Sequence, residues 1–415
     1  MKNIVKVPKI LLPKGHIDKS KWSVIACDQF TSQPDYWEKL ADFVGDAPST
    51  LNIIFPEVYL EGKGKQERIK TINSNMYNYL KCGMFEEFEG FVLVERDTPD
   101  SQKRLGLVIA VDLEEYDYTP ENNALIKATE KTVVDRLPPR IEVRKGACLE
   151  LPHIMMLMDD RKDRIIENLY ASREYFEVAY DFDLNMNGGH IKGYKIANCA
   201  PVIDKLNALL DKKSLIEKYG RDKPILFAVG DGNHSLATAK ECWNKIKKTL
   251  KKQDLTSHPA RYALCELVNL HDKSLQFQPI HRAVMGVGEE FIDFMRKELA
   301  KLDGKSQVKV IYKDSVYYWK VSENPSDAIA DIQQLMDNYA KAHKEMVIDY
   351  IHGDMHLQEV SRVNNAVGVF MPCLEKEGLF DYVVRRGVLP RKSFSMGHAE
   401  DKRYYLECRF IGAKA

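Results

Sequence analysis

Short apolar runs alternate with longer amphipathic stretches along the chain, and that alternation predicts a mixed α/β protein. Runs such as "GFVLVERD", "RLGLVIAVDL", "HIMMLM", "GHIKGYKI", "PILFAVGD", "RYALCELVNL" and "AVGVFM" have the length of strands, as do "WSVIACD" and "LNIIFPEVYL". Helical spacing is strongest over residues 66–88, 161–178, 200–219, 235–251 and 288–302. In the second of these, Ile165, Leu169, Phe176 and Tyr180 fall close to one stripe. "VKVIYKDSVYYWKVS" is short enough to be a β-hairpin rather than a βαβ unit.

The polar, Pro-containing stretch over residues 118–140 and the short "DGKSQ" over 303–307 mark soft boundaries, neither composed like a flexible linker. They predict three tightly packed α/β subdomains over 1–130, 131–302 and 303–415.

Composition narrows the partner class. Hydrophobic residues make up 44% and charged residues 29%; 61 Lys plus Arg balance 61 Asp plus Glu. Nucleic-acid binding rests on neutralising phosphates, so zero net charge argues against a DNA-binding or nuclease role. The basic run Lys245, Lys247, Lys248, Lys251 and Lys252 has helical spacing and reads as a solvated helix face. No window approaches the roughly 18 apolar residues of a membrane helix, and the N-terminus lacks a signal-peptide core. Eight scattered cysteines without a C-x-x-C pair speak against structural zinc. A cytoplasmic protein is expected.

One stretch concentrates chemistry: "ILFAVGDGNHSLATAKECW". An apolar strand stops at Gly230, Asp231, Gly232, Asn233 and His234, and helix-forming sequence starts at once at Ser235. A strand–turn–helix junction gathers free backbone N–H groups and the positive end of the helix dipole, which suit phosphate or carboxylate. Glycines allow close approach, Asp231 can hold a metal ion, and His234 can do acid–base work near neutral pH. The plain alternative is a well-capped helix. The spacing is not the dinucleotide fingerprint, whose third glycine would fall at Ser235, and no Walker A loop occurs.

Other groups invite the same question. "ATEKTVVDRLPPR" packs Thr129, Glu130, Lys131 and Thr132 ahead of Arg136 and Arg140; cations of this kind grip phosphate oxygens, and Glu130 can orient a hydroxyl. "QPIHRAV" offers His281 and Arg282, "MNGGHIKGY" offers His190 and Lys192, and "VLPRKSFS" gathers Arg391, Lys392, Ser393 and Ser395. Each has a bland reading as loop, ion pair or solvated surface. His352 and His356 flank Asp354, but Gly353 interrupts the pattern and no third ligand follows.

Taken in order, "VIACDQFTSQPDYWEKL", "ATEKTVVDR", "FAVGDGNHSLATAK", "QPIHRAV" and "VLPRKSFS" resemble the bacterial and archaeal family called Domain of Unknown Function 1015. The resemblance runs from about Val24 to about Ser395. Its turn motif resembles the phosphate-binding turn of the ParB and sulfiredoxin fold, whose members include nucleotide hydrolases and kinases of free serine. The resemblance thus implies a ParB/sulfiredoxin-like core with added α/β subdomains and a nucleotide or phosphate site at Gly230–His234. Thr129–Thr132 and His281–Arg282 would lie beside it, and Asp28 is drawn toward the pocket. Where the family pattern has Arg after the histidine, this chain has Ser235, so Arg282, Lys131 or Arg140 would supply the cation.

The functional expectation is a nucleotide-dependent phosphotransferase acting on a small hydroxylated metabolite, with free serine as acceptor by analogy of fold. ATP or ADP with Mg²⁺ would be the cofactor. Asp231 would bind the metal, Glu130 or His234 would take the proton, and Asp28, His190, Lys392 and Ser393 would shape the substrate pocket. The alternative is a non-catalytic nucleotide- or metabolite-binding regulator.

Overall fold

The computed structural model describes residues 4–31, 33–60, 62–98, 103–120, 122–220 and 224–412. Within them the chain forms two compact units, the smaller made of Thr129–Lys131 and Gln276–Met396, the larger of the remainder.

The larger unit is organised by one mixed sheet. Its strands lie in the order Glu177–Asp183, His190–Ile196, Phe91–Asp97, Lys103–Asp112, Tyr262–Asn269, Met155–Met158, Phe227–Asp231, Ile126–Ala128 and Tyr116–Asp117, with Val5–Lys6 beside Lys103–Asp112. Near-continuous apolar runs form the middle strands because both sheet faces are covered. Phe91, Leu93, Leu107 and Ile109 pack into one core, whereas their neighbours Val92, Val94, Val108 and Ala110 pack into the other. That alternation is the period of two of a strand, read from opposite sides.

The C-terminal segment returns to this unit and is buried in it. Tyr404–Tyr405 pairs with Val24–Ile25, and Arg409–Phe410 pairs with Leu149–Glu150. Arg403, 3% exposed, ion-pairs with Glu266 and Glu407, while Tyr180 donates to Glu407 at 2.6 Å. Buried charges persist only when paired in this way. The segment thereby delivers Lys402 and Tyr405 to fixed places.

In the smaller unit, the hairpin Ser306–Tyr312/Ser315–Val321 forms as its sequence predicts. Its sheet continues through Val367–Val369, Phe277–Met285 and Val347–His352. The long helix Pro325–Ala342 starts where the Asn324 side chain accepts from the N–H groups of Ser326 and Asp327.

Several expected elements are corrected. "LNIIFPEVYL" is not a strand: Pro56 lacks the N–H a ladder needs, and two 3-10 turns, Thr50–Ile53 and Glu57–Tyr59, flank it. The 161–178 helix shrinks to Ile166–Ala171, because Asp160 ties down the N–H groups of Arg164 and Ile165, and Phe176 leads instead into the strand Glu177–Asp183. The 200–219 helix divides into Ala200–Ala208 and Lys212–Tyr219, the second capped by Asp211. The 66–88 helix stops at Lys81, and Phe85–Glu89 pairs as a strand with Lys9–Pro13.

Candidate functional site

The strand Phe227–Asp231 ends in the middle of the large sheet, between Met155–Met158 and Ile126–Ala128. Its apolar residues point both ways, while Gly230 and Asp231 emerge half-buried. Gly232 turns the chain with φ +80° and caps the helix Asn233–Ile246. A Cβ at Gly232 would stand 3.1 Å from both Cα and Cγ1 of Ile154, so glycine is required twice over, by conformation and by space. The Gly232 carbonyl accepts from the N–H groups of Ser235 and Leu236, both at 3.0 Å, so Asn233 and His234 are the helical residues whose N–H groups meet no carbonyl of a preceding turn among the described residues. Among the described residues, the buried Oδ1 of Asn233 has no hydrogen-bond partner.

Asp231 accepts from the N–H of Gly232 at 3.0 Å, and its second oxygen lies 3.2 Å from Nζ of Lys402. Lys402 also acts electrostatically on Asp28. Burial opposes ionisation of Asp28, but His153, the Gln29 amide and Lys402 outweigh it and hold the carboxyl below its usual range. Asp28 lies 3.9 Å from Nε2 of His153.

Ser235 opens a chain of hydrogen bonds. Its Oγ is 2.9 Å from Nε2 of His153, Nδ1 of His153 is 2.6 Å from the Tyr405 hydroxyl, and that hydroxyl donates to Sγ of Cys27 at 3.0 Å. Burial pushes both Tyr405 and Cys27 well above their ordinary pKa values, so both stay protonated near neutrality.

His234 is placed differently from the sequence expectation of a free base. The N–H of Val133 donates to its Nε2 at 3.3 Å, which ties up that lone pair. Thr132, next in line, is buried, and its hydroxyl has no partner among the described residues. Arg140 is not free to grip phosphate either: its Nε donates to Glu57 at 2.7 Å, its second fork also meets Glu57, and Nη1 reaches the Arg136 carbonyl. Burial raises the Glu57 carboxyl above the ordinary range, with Arg140 opposing. His190 sits on the hairpin edge, its ring held between Asp183 at 2.6 Å and Asp181 at 2.8 Å.

The remaining expected residues belong to the smaller unit. Glu130 accepts from the N–H groups of Lys392 (3.0 Å), Ser393 (2.9 Å) and Phe394 (3.4 Å), a turn in which Lys392 adopts φ +56°. Burial raises its carboxyl despite these donors. Lys131 is exposed and its N–H donates to the Leu389 carbonyl. His281 bonds Asp354 at 2.8 Å, while the buried Arg282 donates to Gln333 at 2.9 Å and stacks over Tyr350. Arg282 and His281 are thus engaged by partners within the smaller unit.

Beside the turn in the larger unit lies a cavity of about 150 Å³. Ser235, Thr238 and Ala239 line it from one face of the helix, and Cys27, His153 and Tyr405 contribute to its wall. His153, Tyr405, Lys402 and Glu57 were not singled out in the sequence; only "PHIMM", a histidine at the mouth of an apolar strand, carried a signal. Among the described residues no group of three or more His, Cys, Asp or Glu is arranged to hold a metal ion. No helix there is long and apolar enough to cross a membrane.

The family model described as protein of unknown function (DUF1015) matches residues 11–366. No curated protein matches the chain. Among solved structures, a conserved hypothetical protein from Pyrococcus furiosus aligns with TM-score 0.36 and 12% identity, over 72% of this chain and 90% of its own. A free serine kinase variant in complex with ADP aligns with TM-score 0.39 and 11% identity, over 73% and 91%. SbnI with a C-terminal truncation, from Staphylococcus aureus, gives 0.37 and 9%, over 70% and 82%.

Proposed function

The chain belongs to the family of unknown function DUF1015, and we propose that this member is a nucleotide-dependent phosphotransferase whose acceptor is a small hydroxylated metabolite. The observation that carries the reading is the cation–carboxylate cluster at a helix N-terminus: Lys402 paired to Asp231 and acting on Asp28, next to the Gly232 turn. Phosphoryl transfer asks for positioned charge more than covalent chemistry, and this cluster supplies it.

In this reading the phosphates rest on the N–H groups that follow Gly232, with Lys402 turning from Asp231 to the phosphate oxygens. The Asp28 carboxylate accepts the proton of the acceptor hydroxyl as its oxygen bonds to the terminal phosphorus, and the bond from that phosphorus to the bridging oxygen breaks. A low-pKa carboxylate suffices, because a loose transition state leaves the hydroxyl proton until late. Asp28 therefore replaces Glu130 and His234 as the base, since His234 already accepts from Val133. Mg²⁺ fits only as a nucleotide-borne ion: Asp231 offers one carboxylate, which is what such ions commonly take from protein, and the ion would neutralise phosphate charge. Analogy of fold alone suggests free serine as acceptor, whereas the cavity beside Ser235 points to a larger body.

A non-catalytic binding role is favoured by one observation, the serine at 235 that holds His153 rather than an arginine that would grip phosphate. Turnover separates the two. ³¹P NMR of the protein with ATP, Mg²⁺ and a pool of hydroxylated amino acids and sugars is expected to show a new phosphomonoester that Asp28→Asn and Asp231→Asn lose. Broadened nucleotide signals without product would leave binding and remove transfer.

A further inference from the structure

We infer that the cavity beside Ser235 is a subsite for an uncharged apolar group of the ligand, about the size of a benzene ring. The inference deepens the phosphotransferase reading by naming an acceptor class: a hydroxyl compound with an aliphatic or aromatic body rather than a minimal polar amino acid.

Three observations converge on it. The first is direction. Ser235, Thr238 and Ala239 are spaced three and four apart, so they share one helix face, and all three line the cavity. The cavity therefore begins at Ser235, three residues beyond the Gly232 turn, and follows that helix face away from it. The second is the character of the walls. Ile54, Ile72, Met76, Leu149, Ile154 and Leu264 are among the lining residues, with Ile72 and Met76 coming from the helix Lys65–Lys81 and Leu264 from the large sheet.

The third is charge. The ionic side chains in the lining are Glu57, Arg140, Arg144 and Glu150 besides His153. Glu57 is held by Arg140, and Arg144 lies 2.5 Å from Glu150, which Arg409 also grips. Both nitrogens of His153 are bonded. Each acid and each arginine in the lining already has an ion-pair partner, so a charged substituent would be desolvated against groups that are engaged with one another. An apolar group pays no such penalty. A volume of about 150 Å³ is enough for a benzene ring, and this cavity has it.

The test is a titration of the full chain labelled at isoleucine methyls, with benzyl alcohol, free serine and ADP as separate probes. Benzyl alcohol is expected to shift the methyls of Ile54, Ile72 and Ile154. Ala239→Leu, or Met76→Phe from the facing helix, is expected to weaken that binding at least tenfold. Free serine should leave these methyls unmoved. If benzyl alcohol does not move them in the wild type, or binds both filled variants as well as the wild type, the subsite is wrong. Phosphate transfer to serine without any methyl response would overturn the subsite and leave the phosphotransferase standing. Benzyl alcohol binding in a protein that transfers phosphate to no acceptor would do the reverse.

Discussion

The Ser235 hydroxyl lies 2.9 Å from Nε2 of His153, two residues 82 positions apart in sequence. This bond fixes the first turn of the Asn233–Ile246 helix to the loop that leads into Met155–Met158. It also places an imidazole, through Tyr405, in contact with a C-terminal segment that reaches the sheet from the far end of the chain. Substituting Tyr405 by Phe removes the hydroxyl that meets His153 Nδ1 among the described residues and leaves that buried ring nitrogen unmatched. We expect a loss of about 1–3 kcal/mol, measured by urea denaturation, with the ring packing kept.

Gly232→Ala forces an L side chain into φ +80° and against the Ile154 backbone. The left-handed conformation alone costs on the order of 1–2 kcal/mol, and backbone cannot swing aside as a side-chain tip does. Lower thermal stability and weaker ADP binding by calorimetry are both expected. Unchanged ADP affinity would detach the nucleotide from this turn.

Lys402→Ala takes the ammonium from Asp231 and from any phosphate at the turn. Hydrogen bonds to charged groups contribute roughly 1.5–3 kcal/mol, so ADP affinity should fall about ten- to a hundredfold. The main chain at 402 is held independently by Arg96, which donates to its carbonyl at 2.6 Å, so the fold should survive, as circular dichroism would verify.

Arg403→Met leaves Glu266 to Arg104, 3.7 Å away, and Glu407 to the Tyr180 hydroxyl, both acids being 1% exposed or less. Removing one partner from a buried ion network costs about 3–5 kcal/mol. A large fall in the urea midpoint is expected, and recovery when Glu266→Gln and Glu407→Gln are added would identify unpaired charge as the cause.

The carboxylates of Asp183 and Asp181 raise the pKa of His190 above 6.5. A group whose folded pKa is raised stabilises the fold fully below its unfolded value and loses that contribution as pH rises through the folded one. The window therefore opens at about 6.5 and extends upward. Proton NMR of the imidazole should show the raised midpoint, and Asp183→Asn should bring it down. The pair is too exposed for a large stability effect.

What sequence determined by itself was local. The apolar runs at Phe91–Asp97, Lys103–Asp112 and Phe227–Asp231 are strands because nothing else accommodates them on a two-faced sheet, and the glycine at 232 announced a turn into a helix because few other residues adopt its φ of +80°. The family was legible for the same reason, as ordered short motifs. Tertiary structure alone decided which side chains meet. Arg140 and His234 looked available in sequence, yet Glu57 and the Val133 N–H claim them, from 83 and 101 residues away. Lys402 and Tyr405 carried no local signal in "DKRYYLE", because their role depends on Arg403, Glu407 and the strand Tyr404–Tyr405 burying the C-terminal segment in the larger unit. Charge pairing acts through space over a few ångströms, whereas sequence spacing reports only neighbours within a turn or a strand; the site belongs to the first kind of information and the elements that hold it to the second.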